Sequence, residues 1–252
     1  MGQTRLLVSL CSTSVLSSAP LVLTARILSR RHKEFCATLA RNPRRNDHLT
    51  NMNESAKHLD IGDHLERLRL RLQRADAVER PQPGTELKAA AVLVPLLRRE
   101  GELHVLYTRR SDRLASHRGE VAFPGGRFDR RDPHLLAAAL REAYEEVGIE
   151  PQAVDVLGCF EGRRTHSTDI MVTPFVGMVR GSPELHPDPK EVAEIFEVPL
   201  SALADPRHRV AHRWHRDGAT SHRPAILYQR QVIWGLTYEL TMRFLELILP
   251  PA

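Results

Sequence analysis

Glu142, Glu145 and Glu146 fall within five residues of one another. On a helix turning about 100° per residue, with Leu135 as zero, they sit near about 340°, 280° and 20°. They therefore share one arc at the border of an apolar side made by Leu135, Leu136, Ala139, Leu140, Ala143 and Val147. Like charges at this spacing repel by a few tenths of a kcal/mol per pair in water, and by more where water is partly excluded. The arrangement asks for a cation. Hard carboxylate oxygens suit Mg²⁺ or Mn²⁺, which bind few carboxylates and share the rest of their coordination with substrate phosphate. Taken alone, Glu-x-x-Glu-Glu is most often a solvated acidic face. Gly125 and Gly126 upstream change that balance, because two residues without Cβ let backbone amides or carbonyls approach an ion or a phosphate closely.

These residues need a rigid frame. Asp132-Pro133 reads as an N-cap and first-turn pair and Gly148 as a stop, predicting a helix over Pro133 to Val147. Apolar runs predict strands at Ala89 to Leu97, Leu103 to Thr108, Val154 to Phe160 and Met171 to Val179, with a second helix over Gly235 to Leu249. Upstream, Ile61, Leu65, Leu68 and Leu72 form the stripe of a further helix that packs on the domain, and Arg80-Pro-Gln-Pro-Gly reads as a linker. The expected organisation is a basic extension over 1–51, an amphipathic helix and linker over 52–83, and one mixed α/β domain, of α+β type, over 84–250.

Composition narrows the function classes. Of 252 residues 42% are hydrophobic and 27% charged, a globular balance. No run reaches the roughly 18 to 20 apolar residues of a membrane span. Cys11, Cys36 and Cys159 include no CxxC pair, which argues against a disulfide framework or thiolate metal site. Residues 1–51 hold eight Lys/Arg against Glu34 and Asp47, leaving 28 basic and 29 acidic residues in the remainder. The basicity thus belongs to the extension, and the domain loses the electrostatic basis for nucleic-acid binding. The extension has the composition of an organellar transit peptide; the competing reading starts the functional chain at Met52. The expected location is accordingly the cytoplasm, or the mitochondrial matrix if the extension is a transit peptide.

Gly126 through Ile149 resembles the Nudix box, in which Gly, five residues, Glu and seven residues precede Arg-Glu-apolar-x-Glu-Glu-x-Gly-apolar. The second half is complete as Arg141-Glu142-Ala143-Tyr144-Glu145-Glu146-Val147-Gly148-Ile149. In the first half Asp132 replaces the usual Glu, and the spacing to Arg141 is one residue longer, a feature of the coenzyme A diphosphatase branch. Leu106 to Ser111, His117, Gly119 and Val121 before Phe123-Pro-Gly-Gly126 are similar to that branch's second signature. Val172 to Gly177, Phe196 to Leu200 and Val232 to Thr237 resemble its downstream blocks. Ala115 stands where the branch usually carries Arg, with Arg113 and Arg118 as replacements.

The resemblance implies a Nudix fold, a mixed sheet sandwiched between helices, and an enzyme. Its reaction would be Mg²⁺- or Mn²⁺-dependent hydrolysis of the pyrophosphate bond of coenzyme A or acyl-coenzyme A, giving 3′,5′-ADP and 4′-phosphopantetheine. Glu142, Glu145 and Glu146 would hold metal, with Glu142 also orienting the attacking water. Arg141 would fix a glutamate, the Gly125 or Gly126 carbonyl would complete the metal shell, and Glu191 would serve as a base or extra ligand. Arg110, Arg113, His117, Gly125 and Gly126 would contact substrate, and a homodimer is the candidate assembly. Two alternatives stand beside this one: hydrolysis of another nucleoside diphosphate derivative such as ADP-ribose or NADH, and a non-catalytic Nudix-fold binding module. The intact glutamates argue against the module. His208, His212, His215 and His222 lack accompanying cysteine or carboxylate ligands, so they read as a solvated or substrate-rim loop rather than a zinc site. Cys159 reads as a core residue rather than a nucleophile.

Overall fold

A computed structural model describes residues 60–78, 88–165, 169–216 and 219–250. The basic extension and the Arg80 linker lie outside the described residues. Helix α1 spans Ile61–Arg71; its start is fixed by a capping box in which Asp60 and Asp63 each accept the other's backbone N–H. The chain continues through β1 (Lys88–Arg99), β2 (Glu102–Arg110), β3 (Val121–Ala122), β4 (Gly125–Arg127) and α2 (Leu135–Val147). After β5 (Val154–Cys159), β6 (Arg163–Arg164), β7 (Ile170–Val179) and β8 (Val192–Pro199) come a short α3 (Leu200–Ala204), then β9 (Arg209–Arg216), β10 (Ala219–Tyr228), β11 (Gln231–Trp234) and α4 (Gly235–Ile248).

Strand β1 is the spine of the larger sheet. It runs parallel to β7 along one edge; along the other it pairs antiparallel with β4 near its start and with β2 near its end. Its apolar run is nearly unbroken because both faces are covered. Ala90, Val94 and Leu96 join Leu68 of α1 and Leu240, Phe244, Leu245 and Ile248 of α4. Ala91, Leu93 and Leu97 meet Leu135, Ala138, Ala139, Ala143 and Val147 of α2. A mixed sheet between helices is therefore the architecture, as expected. Packing of α1 on α4 is reinforced by a bond between His64 Nδ1 and the Ile248 carbonyl, 3.3 Å, and by Arg71 donating to the Glu246 carbonyl, 3.0 Å.

The structure corrects the start of the glutamate-bearing helix. Its N-cap is His134, which accepts from the Ala137 N–H, and not Asp132. Asp132 is buried and takes two bonds from Arg141, which outweigh the single amide bond that a cap would offer. The expected stop at Gly148 holds: its φ is 76° and its N–H reaches the Tyr144 carbonyl at 2.9 Å. Also corrected is the loop reading of the histidine-rich stretch, which forms β9 and β10 of a separate three-stranded sheet. His212 and His215 are three residues apart on a strand, so their side chains leave by opposite faces and share no metal. The buried Cys159 lies at the end of β5, pairing with Gln73 across an isolated bridge.

Candidate active site

Helix α2 presents its three glutamates in a gradient of burial, their side chains being 5% exposed at Glu146, 17% at Glu142 and 56% at Glu145. The gradient follows from the helical angles, since Glu146 lies nearest the face that Ala139, Ala143 and Val147 press against β1.

Arg141 ties the group together. Its Nε and Nη2 make a fork onto Asp132, 2.9 and 3.0 Å, while Nη1 donates to Glu142 at 2.9 Å and Glu145 at 3.0 Å. Arg141 thus bonds two of the three glutamates. The guanidinium keeps the Asp132 carboxyl below the usual carboxylate range. Asp132 also accepts from the Asp129 N–H at 2.9 Å, so one carboxylate closes the loop before α2 and anchors the arginine.

Strand β4 brings the two glycines against this face. The Gly125 N–H donates to Glu146 Oε2 at 3.0 Å. A Cβ at Gly126 would overlap the Glu142 carboxylate, and one at Gly125 would overlap the Ala91 carbonyl and Val92 backbone of β1. These glycines are where close approach demands the absence of a side chain. Nothing local in the sequence reveals the Gly126–Glu142 contact, since the two residues are 16 apart.

Two more elements converge here. Arg110, at the end of β2, points Nη1 to within 4.0 Å of Glu146 Oε1, and its Nε is buried without a hydrogen-bond partner among the described residues. Glu191, next to the start of β8, is placed because its carbonyl accepts from the Ser111 N–H at 2.8 Å, directly after Arg110. Burial, above all, pushes the Glu146 carboxyl up to about 8, and the charges of Glu142 and Glu191 add to it. Glu142 is raised as well, chiefly by burial, with Glu145 and Glu191 contributing.

The loop between β2 and β3 carries the remaining predicted contacts. His117 adopts a left-handed backbone, φ 56°, and its Nδ1 lies 2.9 Å from Glu120. Arg113 is exposed, whereas Arg118 Nε donates to the Leu114 carbonyl at 2.6 Å. Arg113 is therefore the freer replacement for the arginine missing at Ala115. A cleft of about 720 Å³ opens nearby, lined by Tyr144, Arg180 and His186 among others; of the carboxylate group it touches only Glu145.

Among the described residues, no three His, Cys, Asp or Glu side chains stand close enough to share one ion. Glu142 and Glu145 are turned to Arg141, and Glu146 to the Gly125 amide. Even so, the donor set fits a hard divalent cation: the carboxylates of Glu142 and Glu146, both raised chiefly by burial, with Glu145 beside them, on unbranched side chains that rotate readily and next to glycine backbone that an ion can approach.

Comparison with known proteins agrees with this geometry. Residues 87–217 match the family described as NUDIX domain. A protein of Yersinia enterocolitica named uncharacterized Nudix hydrolase NudL is 42% identical over 176 residues, which cover 67% of this chain and 87% of that protein. The NudL of Klebsiella pneumoniae strain 342 is 43% identical over 163 residues, 63% of this chain and 83% of the relative. Among solved structures, a Caenorhabditis elegans Ap4A hydrolase binary complex aligns with a TM-score of 0.39 and 20% identity over 44% of this chain and 80% of the other. A MutT/nudix family protein from Enterococcus faecalis aligns at 0.41 and 16% identity over 79% and 71%.

Proposed function

The chain belongs to the Nudix family, and from that premise we propose that it hydrolyses the pyrophosphate bond of coenzyme A or acyl-coenzyme A to 3′,5′-ADP and the corresponding 4′-phosphopantetheine. Hydrolysis of a nucleoside diphosphate derivative follows from membership; the choice of coenzyme A is the finer step. It rests on the segment from Leu106 to Gly126, whose branch-like residues run from β2 through the 111–120 loop and β3 to the start of β4, with Arg110 and Gly125 beside Glu146 and Gly126 against Glu142.

Glu142, Glu145, Glu146 and a carbonyl of Gly125 or Gly126 are the groups that would hold Mg²⁺ or Mn²⁺. When bound, such an ion supplies charge neutralisation at the diphosphate oxygens and acidifies water for in-line attack on phosphorus. The chain's own residues do the rest. Arg141 orients Glu142 and Glu145 and is itself held by Asp132. Arg110 offers an unsatisfied buried Nε beside Glu146, which suits an anionic diphosphate oxygen. Glu142 and Glu191 are the carboxylates available to receive a proton from the attacking water, and burial above all, with the charges of Glu145 and Glu191 adding to it, raises the basicity of Glu142.

The test is to incubate the full chain and Mg²⁺ with coenzyme A, dephospho-coenzyme A, ADP-ribose, NADH and a nucleoside triphosphate, identifying products by mass. Coenzyme A should give the highest kcat/KM, with 3′,5′-ADP released. Faster turnover of ADP-ribose or NADH would replace the coenzyme A reading with the second hydrolase reading. Absence of turnover on the whole panel would favour a binding module.

A further inference from the structure

The three-stranded sheet carries a second surface beside the carboxylates. Directly paired residues on antiparallel strands share a face. By register His212 pairs with Arg223, Trp214 with Ser221, and Ala225 with Trp234, so both tryptophans lie on one face with His212 and Arg223. The other face sends Ala211, Ile226 and Ile233 into the interior. On the outward face the Trp214 and Trp234 rings are 6.1 Å apart, His212 lies 5.0 Å from Trp234, and the Arg223 guanidinium stands 5.7 Å over Trp214. His212, Trp214 and Trp234 are half-buried and Arg223 is exposed.

The sheet packs beside β3, which leads into the glycines of β4. Strand β11 packs against β3, and Thr237 Oγ1 donates to the Val121 carbonyl at 2.9 Å. Burial lowers the His212 pKa, and the charge of Glu120, which holds His117, partly offsets that, so the two loops lie close together. Val121 is four residues from Gly125, whose amide binds Glu146, a chain distance of at most about 14 Å. A nucleoside diphosphate spans a comparable length from its phosphates to its base.

We propose that the outward face of β9–β11 is the nucleobase platform of the enzyme, on which the purine of the substrate stacks against Trp214 and Trp234 while Arg223 meets the phosphate of its ribose. The inference rests on the reading that the substrate is a nucleoside diphosphate derivative. Two indoles beside a guanidinium complement a purine with an adjacent phosphate, since every base offers a π-face and arginine binds phosphate through a planar fork. The pantetheine arm, with neither ring nor charge, has no use for either feature.

Trp214 and Trp234 are the only tryptophans of the chain, so its intrinsic tryptophan fluorescence reports on this face alone. Titrating the full chain with AMP and with 3′,5′-ADP should quench that emission saturably, and 4′-phosphopantetheine should not. Trp214→Ala should raise KM by roughly five- to a hundredfold for any adenine-bearing substrate while kcat is retained, and Trp214→Phe should keep most of the affinity. Arg223→Gln should weaken 3′,5′-ADP more than AMP. If ADP-ribose proves the better substrate but Trp214→Ala still raises its KM, the platform stands while the coenzyme A reading falls. If coenzyme A is turned over with unchanged KM in Trp214→Ala and the nucleotides quench nothing, the platform falls and the hydrolase reading is untouched. Quenching by 4′-phosphopantetheine alone, or a dimer that Trp214→Ala dissociates with KM unaltered, would equally overturn it.

Discussion

Glu146 is the residue where structure and chemistry bear on each other most directly. Its carboxyl is pushed up to about 8, above all by burial and further by Glu142 and Glu191, and its nearest cationic partner among the described residues is Arg110 at 4.0 Å. Glu146→Gln removes the charge and keeps the volume. It should leave Tm unchanged or higher in metal-free buffer, yet lower kcat about a thousandfold or more, because about 4 kcal/mol of transition-state stabilisation is a modest share for a metal ligand. Calorimetry and turnover on one preparation check both halves; near-normal Mg²⁺-dependent turnover would remove Glu146 from the metal set. Asp132→Asn acts differently, by releasing one end of the Arg141 fork. The pair is only partly buried, Arg141 being 29% exposed, so the expected loss is about 1–3 kcal/mol, or roughly 2–9 °C in Tm, together with reduced kcat as Arg141 loosens. At the substrate end, a 3′-phosphate held by one charge-assisted bond should favour coenzyme A over dephospho-coenzyme A by roughly ten- to a hundredfold in kcat/KM. Arg223→Gln should narrow that gap, because Arg223 stands over Trp214 on the face proposed to hold the adenosine.

Strand β4 and helix α1 supply the tests at the level of elements. Gly125 and Gly126 are neighbours with opposite surroundings. A Cβ at Gly126 meets the far end of a flexible glutamate, whereas one at Gly125 meets the backbone of β1, which has no room to yield. Gly126→Ala should therefore keep Tm and lose activity by displacing the Glu142 carboxylate. Gly125→Ala should lower stability by about 1–3 kcal/mol and take activity with it. Equal Tm for the two variants would mean that the β1–β4 contact is looser than it stands here. In α1, burial lowers the His64 pKa from 6.5. The unfolded chain then binds the proton first, so stability is complete above about pH 6.5 and declines as pH falls from there toward the depressed folded value. Thermal unfolding at about pH 7.5 and 5.5 should show this decline, and His64→Gln should flatten it.

At the scale of the molecule, α1 and α4 form one side of the sandwich and α2 the other, with β1 between. A chain shortened to begin at Met52 keeps every described element and should match the full chain in Tm and kcat/KM. One shortened further, past α1, uncovers Leu68's seat on the core and should unfold at lower temperature. Comparable Tm in both shortened chains would show that α1 adds nothing to the core.

Legible in the sequence were the glutamate-bearing helix, the helical arc of Glu142, Glu145 and Glu146, the stop at Gly148 and the apolar strands β1, β2, β5 and β7. Each of these signals is local: a period of 3.6, a left-handed glycine, or an apolar run covered on both faces. The histidine-rich hairpin escaped that reading although Val210, His212 and Trp214 alternate with Ala211 and Arg213, and Asp217-Gly218 is a hairpin dipeptide. Among the described residues its buried set is sparse, Ala211, Ala225 and Ile226 among charged neighbours, so periodicity is weak. Only the tertiary structure shows that Asp132 anchors Arg141 instead of capping α2, that Gly126 makes room for Glu142, and that Arg110 stands 4.0 Å from Glu146. Those pairings join segments far apart in the chain, and their energies come from burial and charge, which no single segment possesses until the sheet brings the others against it.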